Sequence, residues 1–223
     1  MKKIIILLNL IPVLFHSQNI PEQYHFSQNG QKLIRGGVEL NGFYDESEIK
    51  TINLYFDQED YWDQLHDNYC DKINIPATLI YDGETYNEVG VRFKGQTSYA
   101  NTNGGGGGPG GGGPGGGSVD TDKKSFNIEL DWVHDQDIDS YETINLNNCY
   151  QDPSFLREFI FEKLSRKHIP ASQVNFIELI INDQSWGLYP NIQQLDKQHA
   201  KEWFLDDECT RWRAEDPNSI SPG

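Results

Sequence analysis

Residues 152–192, DPSFLREFIFEKLSRKHIPASQVNFIELIINDQSWGLYPNI, order a helix ahead of a two-stranded hairpin, and that order decides the fold class. Asp152 is a capping residue type, and Pro153 suits a first helical turn. Phe155, Phe159, Ile160 and Leu164 recur at helical spacing. The pattern predicts one long helix over 152–167, with Arg166 and Lys167 at its electronegative C-terminal end. Residues 175–181 then read as an apolar strand, Asn182-Asp183 as a turn and 185–192 as the return strand. A short helix is expected over 197–204.

Working outward toward the N-terminus, KSFNIELD at 124–131 alternates as a strand. Before it, residues 75–81 end in Asp82-Gly83, a strong hairpin turn, and 86–94 return. On that return strand Val89, Val91 and Phe93 share one face, and Arg92 and Lys94 take the other. A short helix over 60–68 and a strand over 52–56 precede the hairpin. The set predicts an α+β lobe with an antiparallel sheet.

Residues 103–118 carry twelve glycines and two prolines. The run matches a phosphate-binding glycine loop many times over, and for that reason the match has no weight. Such a loop works by holding a few N–H groups rigidly, whereas a glycine run has the largest entropy to lose and no side chains to hold it. It reads as a flexible insertion in a hairpin.

The N-terminus opens with Lys2 and Lys3, an apolar run over 4–15, and polar residues from His16. This is the pattern of a secretory signal peptide, too short to span a bilayer, and it predicts an exported, secreted or periplasmic chain. No later segment is long enough to cross a membrane. The expected organisation is a signal peptide at 1–18, an N-terminal extension at 19–50, a main lobe at 51–205 and the start of a further part at 206–223. The remaining ~200 residues suffice for one large domain or two small lobes. A net charge of −16 disfavours nucleic acid, which needs clustered Lys and Arg. Any polyphosphate ligand would need metal ions to screen it. Cys70, Cys149 and Cys209 have no zinc-site spacing; one disulfide plus a free thiol, or simple buried thiols, both fit.

Four segments, taken in order, resemble the spore coat protein H (CotH) kinase family. They are Val89-Gly90-Val91-Arg92-Phe93-Lys94-Gly95, Lys124-Ser125-Phe126-Asn127-Ile128, Asn145-Leu146-Asn147-Asn148 with Asp152-Pro153-Ser154-Phe155-Leu156-Arg157-Glu158, and Asn182-Asp183 with Trp186-Gly187-Leu188-Tyr189. They span roughly 85–200. The resemblance implies an atypical protein-kinase-like N-lobe with an antiparallel sheet and one long helix, its C-lobe largely missing. It also implies ATP with Mg²⁺ or Mn²⁺, and a Ser or Thr of a secreted or surface protein as acceptor.

Phosphoryl transfer needs a cation on the nucleotide phosphates, a carboxylate to orient it, metal ions and a positioning acid. Lys124, Arg92 and Lys94 are the candidate cations, and Glu158 on the long helix is their natural partner. Each also reads as part of a solvated face. Gln193-Gln194-Leu195-Asp196 falls where the lobes of such a fold connect, with Gln193 in place of the family's acidic residue; Asp196 suits either a ribose contact or a helix cap. The family's catalytic and metal-binding Asp residues would lie downstream, so the expectation is an incomplete chain. The acidic residues Asp206, Asp207, Glu208, Glu215 and Asp216 lack calcium-loop spacing and read as a solvated loop. The alternative reading is a catalytically silent, secreted binding or assembly module. A carbohydrate hydrolase has little support, because no segment singles out a carboxylate pair.

Overall fold

The computed structural model describes residues 24–26, 33–35, 42–95, 123–204, 208 and 210–212. The leader at 1–18, the glycine run at 103–118, Cys209 and four of the acidic residues near the C-terminus lie outside the described residues. Two short strands, β1 (Tyr24–Phe26) and β2 (Leu33–Arg35), pair antiparallel within the stretch read as an extension.

The main body is a closed barrel, which corrects the expected kinase-like N-lobe. Its strands are β3 (Ile49–Tyr55), β4 (Ile75–Tyr81), β5 (Glu84–Lys94), β6 (Ser125–Glu129), β7 (Thr143–Leu146), β8 (Val174–Ile181) and β9 (Gln184–Ile192). Around the barrel the order is β3-β4-β5-β6-β7-β9-β8, and β8 returns to β3. All neighbours are antiparallel except β3 and β8, which run parallel from Ile49↔Phe176 to Leu54↔Ile181. That pairing makes the sheet mixed and closes it, removing the open edges an antiparallel lobe would leave. It joins residues more than a hundred positions apart, and no turn signal announces it.

Local chemistry explains the hairpins. Asp82 and Gly83 both take positive φ, 49° and 81°, as the tight turn between β4 and β5 requires. Asn182 and Asp183 do the same between β8 and β9, at 46° and 64°. Asn182 also ties this turn to β3: its N–H donates to the Leu54 carbonyl at 2.9 Å, and its Oδ1 accepts from the Phe56 N–H at 2.9 Å. The inner face follows strand alternation, with Ile52, Leu54, Leu79, Val91, Phe93, Phe126, Ile128, Ile144, Leu146 and Leu179 buried together.

Among the described residues three short helices accompany the barrel: α1 (Tyr61–Asp67), α2 (Arg157–Ser165) and α3 (Lys197–Phe204). The single long helix over 152–167 is therefore also corrected. Asp152 does not cap a helix at 153. Its Oδ1 accepts from the Ser154 N–H at 3.2 Å and hydroxyl at 2.5 Å, and its Oδ2 accepts from the Arg157 N–H at 2.9 Å. Residues 153–156 are spent in this turn, with Phe155 at φ 60°, and helical hydrogen bonding starts after it. Among the described residues no helix is long and apolar enough to cross a membrane.

Candidate functional site

The seam between β7 and β9 is narrow, with Leu146↔Asn191 the one ladder pair across it. Beyond it the chain leaves β9 and runs beside β7 into α3. A cleft of about 990 Å³ lies along this seam, lined by Lys94, Asn145, Asn147, Glu158 and Ile192 to Leu195, and farther out by Glu162, His199 and Arg211. The strands supply its floor with outward-facing residues. Phe93, Ile144 and Leu146 point into the core, so by alternation Lys94, Asn145 and Asn147 point out, into the cleft.

These side chains form one connected polar set. Lys94 Nζ donates to Asn145 Oδ1 at 3.0 Å, and the same oxygen accepts from Asn127 Nδ2 at 3.0 Å. The other end of Asn145 donates to Gln194 Oε1 at 2.8 Å, so a lysine on β5 is linked to the segment after β9. Asn147 Nδ2 donates to both Glu158 oxygens, at 2.7 and 2.8 Å, and orients that carboxylate from β7. Burial pushes the Lys94 amine down to about 8; Glu158 acts in the opposite sense and Arg92 adds to the depression. Glu162 is raised by burial, partly offset by the Ser172 N–H on its Oε2.

Of the residues singled out by sequence, the structure brings Lys94 and Glu158 to the same cleft. Arg92 is held elsewhere, in an ion pair with Glu129 and a 3.1 Å hydrogen bond to Asn74 Oδ1. Lys124 stands one residue ahead of β6 and is buried at 2 % exposure. Asp196 caps α3: its Oδ1 accepts from the His199 N–H at 3.1 Å and its carbonyl from the Ala200 N–H at 3.1 Å. Cys70 is exposed and Cys149 half-buried, both as free thiols; burial pushes Cys149 up to about 11.

Sequence reasoning did not single out Asn145, Asn147, Gln194 or Glu162 as site residues. A signal was present for the first two: amides two apart on a strand, facing away from Ile144 and Leu146, need partners when covered.

The described residues thus form a closed barrel whose cleft has a mixed polar and apolar lining, with a lysine of lowered basicity and an oriented carboxylate both facing it. Its family is given by comparison: a family model described as CotH kinase protein matches residues 91–221, more than half of the chain. The chain belongs to the CotH kinase family. No curated protein matches it.

The cleft would have to take the groups that kinase chemistry uses, a polyphosphate and a divalent metal ion. Its volume and its Lys94–Asn145–Asn147 floor fit a polyphosphate. Among the described residues no group of three or more His, Cys, Asp or Glu stands ready to hold a metal ion. A divalent ion would then be carried largely on phosphate oxygens, with Glu158 or Glu162 as protein ligands.

Proposed function

We propose that this chain is an exported kinase-like phosphotransferase of the CotH family, and that the β7–β9 cleft takes the phosphates of ATP. The observation that carries this reading is the placement of Lys94 of β5 and Glu158 of α2 in one cleft. Lys94 supplies a cation whose partial burial strengthens its pull on phosphate oxygens. Asn145 fixes where that cation points, and Asn147 holds the Glu158 carboxylate in place. A bound Mg²⁺ or Mn²⁺ would supply charge neutralisation on the phosphates. The acceptor in this reading is a Ser or Thr hydroxyl of a secreted or surface protein, reached after export through the leader at 1–18.

A second reading, a catalytically silent binding module on the same scaffold, is favoured by one specific feature. Both Glu158 oxygens are engaged by Asn147, while Lys94 hydrogen-bonds Asn145, so the two charged groups share the cleft without a direct ion pair.

Thermal shift with ATP and Mg²⁺ or Mn²⁺ tests the first reading, with wild type beside Lys94→Ala and Lys124→Ala. A ligand at a hundred times its Kd stabilises the native state by about 2.7 kcal/mol. The expected result is a shift in wild type, its loss in Lys94→Ala, and retention in a folded Lys124→Ala. A shift that survives Lys94→Ala would remove the phosphate site from this cleft. Its absence in wild type would leave the binding module.

A further inference from the structure

Glu202 lies on α3 with 3 % of its surface exposed, and its carboxylate gathers hydrogen bonds from three other segments. Its Oε1 accepts from the Tyr141 hydroxyl at 2.7 Å, and its Oε2 accepts from Gln193 Nε2 at 2.9 Å. Gln173 Nε2 stands 3.3 Å from each oxygen, and Gln198 Nε2 adds a longer contact to Oε1 at 3.4 Å. Each of these donors is neutral, so the carboxylate is held by direction rather than by an opposing charge.

The polarity of Tyr141 and Gln193 in this knot is fixed by their neighbours. Gln173 Nε2 donates to the Tyr141 oxygen at 2.5 Å, which turns the Tyr141 proton toward Glu202. Gln193 Oε1 accepts from the Gln173 N–H at 3.0 Å, so its Nε2 must face Glu202. A flipped Gln193 would set N–H against N–H on one side and oxygen against oxygen on the other. Gln193 is also tied through its own N–H to the Gln173 carbonyl at 2.9 Å. It is part of the cleft wall that runs from Ile192 to Leu195.

We propose that Glu202 is a positioning residue for the cleft: through Gln193 it fixes the Ile192–Leu195 wall, and ligand affinity depends on the carboxylate–carboxamide pair rather than on either side chain alone. The affinity part rests on the nucleotide reading of the cleft; the order of the wall does not.

The pair predicts a polarity swap. Glu202→Gln alone places one amide nitrogen either against Gln193 Nε2 or against a Tyr141 hydroxyl whose oxygen already accepts from Gln173. Gln193→Glu alone sets two carboxylates face to face. In the double variant, Gln at 202 can accept from Tyr141 and donate to Glu at 193, which still accepts from the Gln173 N–H. Both short contacts of Glu202, and that of residue 193 to Gln173, are then restored.

The experiment uses the full chain in four forms: wild type, Glu202→Gln, Gln193→Glu and the double variant. Amide hydrogen exchange is read without ligand over 190–197, and Mg·ATP affinity by titration. Each single variant is expected to speed exchange of that segment and weaken Mg·ATP by about tenfold or more, a typical cost of unsatisfied buried groups. Exchange in β5 and β6 should stay as in wild type. The double variant should recover both readouts to within about threefold, the additivity error of independent sites being far smaller than this coupling. Wild-type exchange over 190–197 in the single variants, or no recovery in the double, would overturn the proposal. If wild type fails to bind Mg·ATP, the nucleotide reading falls while the exchange data still decide the role of Glu202.

Discussion

Lys94→Met should make the protein more stable and less functional, and the size of the gain follows from the site. The Lys94 amine is pushed from its ordinary 10.5 down to about 8, with burial the largest cause. At about 1.4 kcal/mol per pH unit, keeping it protonated in the fold below pH 8 costs on the order of 3 kcal/mol. Methionine removes that cost at similar length. It forfeits the hydrogen bond to Asn145, about 1 kcal/mol, but Asn145 Oδ1 keeps its bond from Asn127. The net expectation at pH 7 is a gain of about 2 kcal/mol, or roughly 4–8 °C in Tm for a chain of this size. The sign is set by linkage. Between pH 8 and 10.5 the unfolded chain holds a proton on this lysine that the folded chain has released, so wild-type stability rises with pH through that window. The advantage of the variant should therefore shrink and vanish as the pH approaches 10.5. Urea unfolding of both proteins at pH 7 and pH 10 measures this directly. A variant less stable at pH 7, or a difference unchanged between the two pH values, would refute the account. In the nucleotide reading of the cleft, the same substitution should abolish the ATP-dependent thermal shift, the pairing expected of a lysine that trades stability for function.

Two further outcomes are expected. Burial holds His199 below its ordinary 6.5, against the pull of Glu202 and with a smaller push from Arg166, so the folded state favours the neutral ring. Its contribution is present above pH 6.5 and lost as the pH falls toward the depressed value; the loss of stability from pH 7 to pH 5 should be smaller in His199→Gln than in wild type, and equal slopes would count against it. Gly90 faces Trp132 so closely that an added Cβ would lie 2.6 Å from Trp132 Cγ and 2.7 Å from Asn74 Nδ2. Gly90→Ala should cost about 1–3 kcal/mol in chemical denaturation, and Gly90→Ala with Trp132→Ala should show most of that strain relieved; a single variant as stable as wild type would show that the contact yields freely.

What the sequence made legible, and what it hid, divides along a physical line. Features set by neighbours in the chain were readable: the Asp82-Gly83 turn, the alternation that buries Val89, Val91 and Phe93, and the helix over Lys197–Phe204. Features set by distant contacts were not. The parallel pairing of Ile49–Leu54 with Phe176–Ile181 closes the barrel and leaves no local mark. The shortening of α2 lay within reach, because Asp152 and Ser154 are turn formers as much as caps, and the turn won. The choice among cations was legible in principle from parity alone. Lys124, one residue ahead of β6, carries the parity of Phe126 and Ile128 and is buried at 2 % exposure. Lys94 is adjacent to buried Phe93, which turns it outward, to the cleft that Glu158 of α2 also lines. Strand parity, extended one residue ahead of β6, thus separates the buried lysine from the one that lines the cleft.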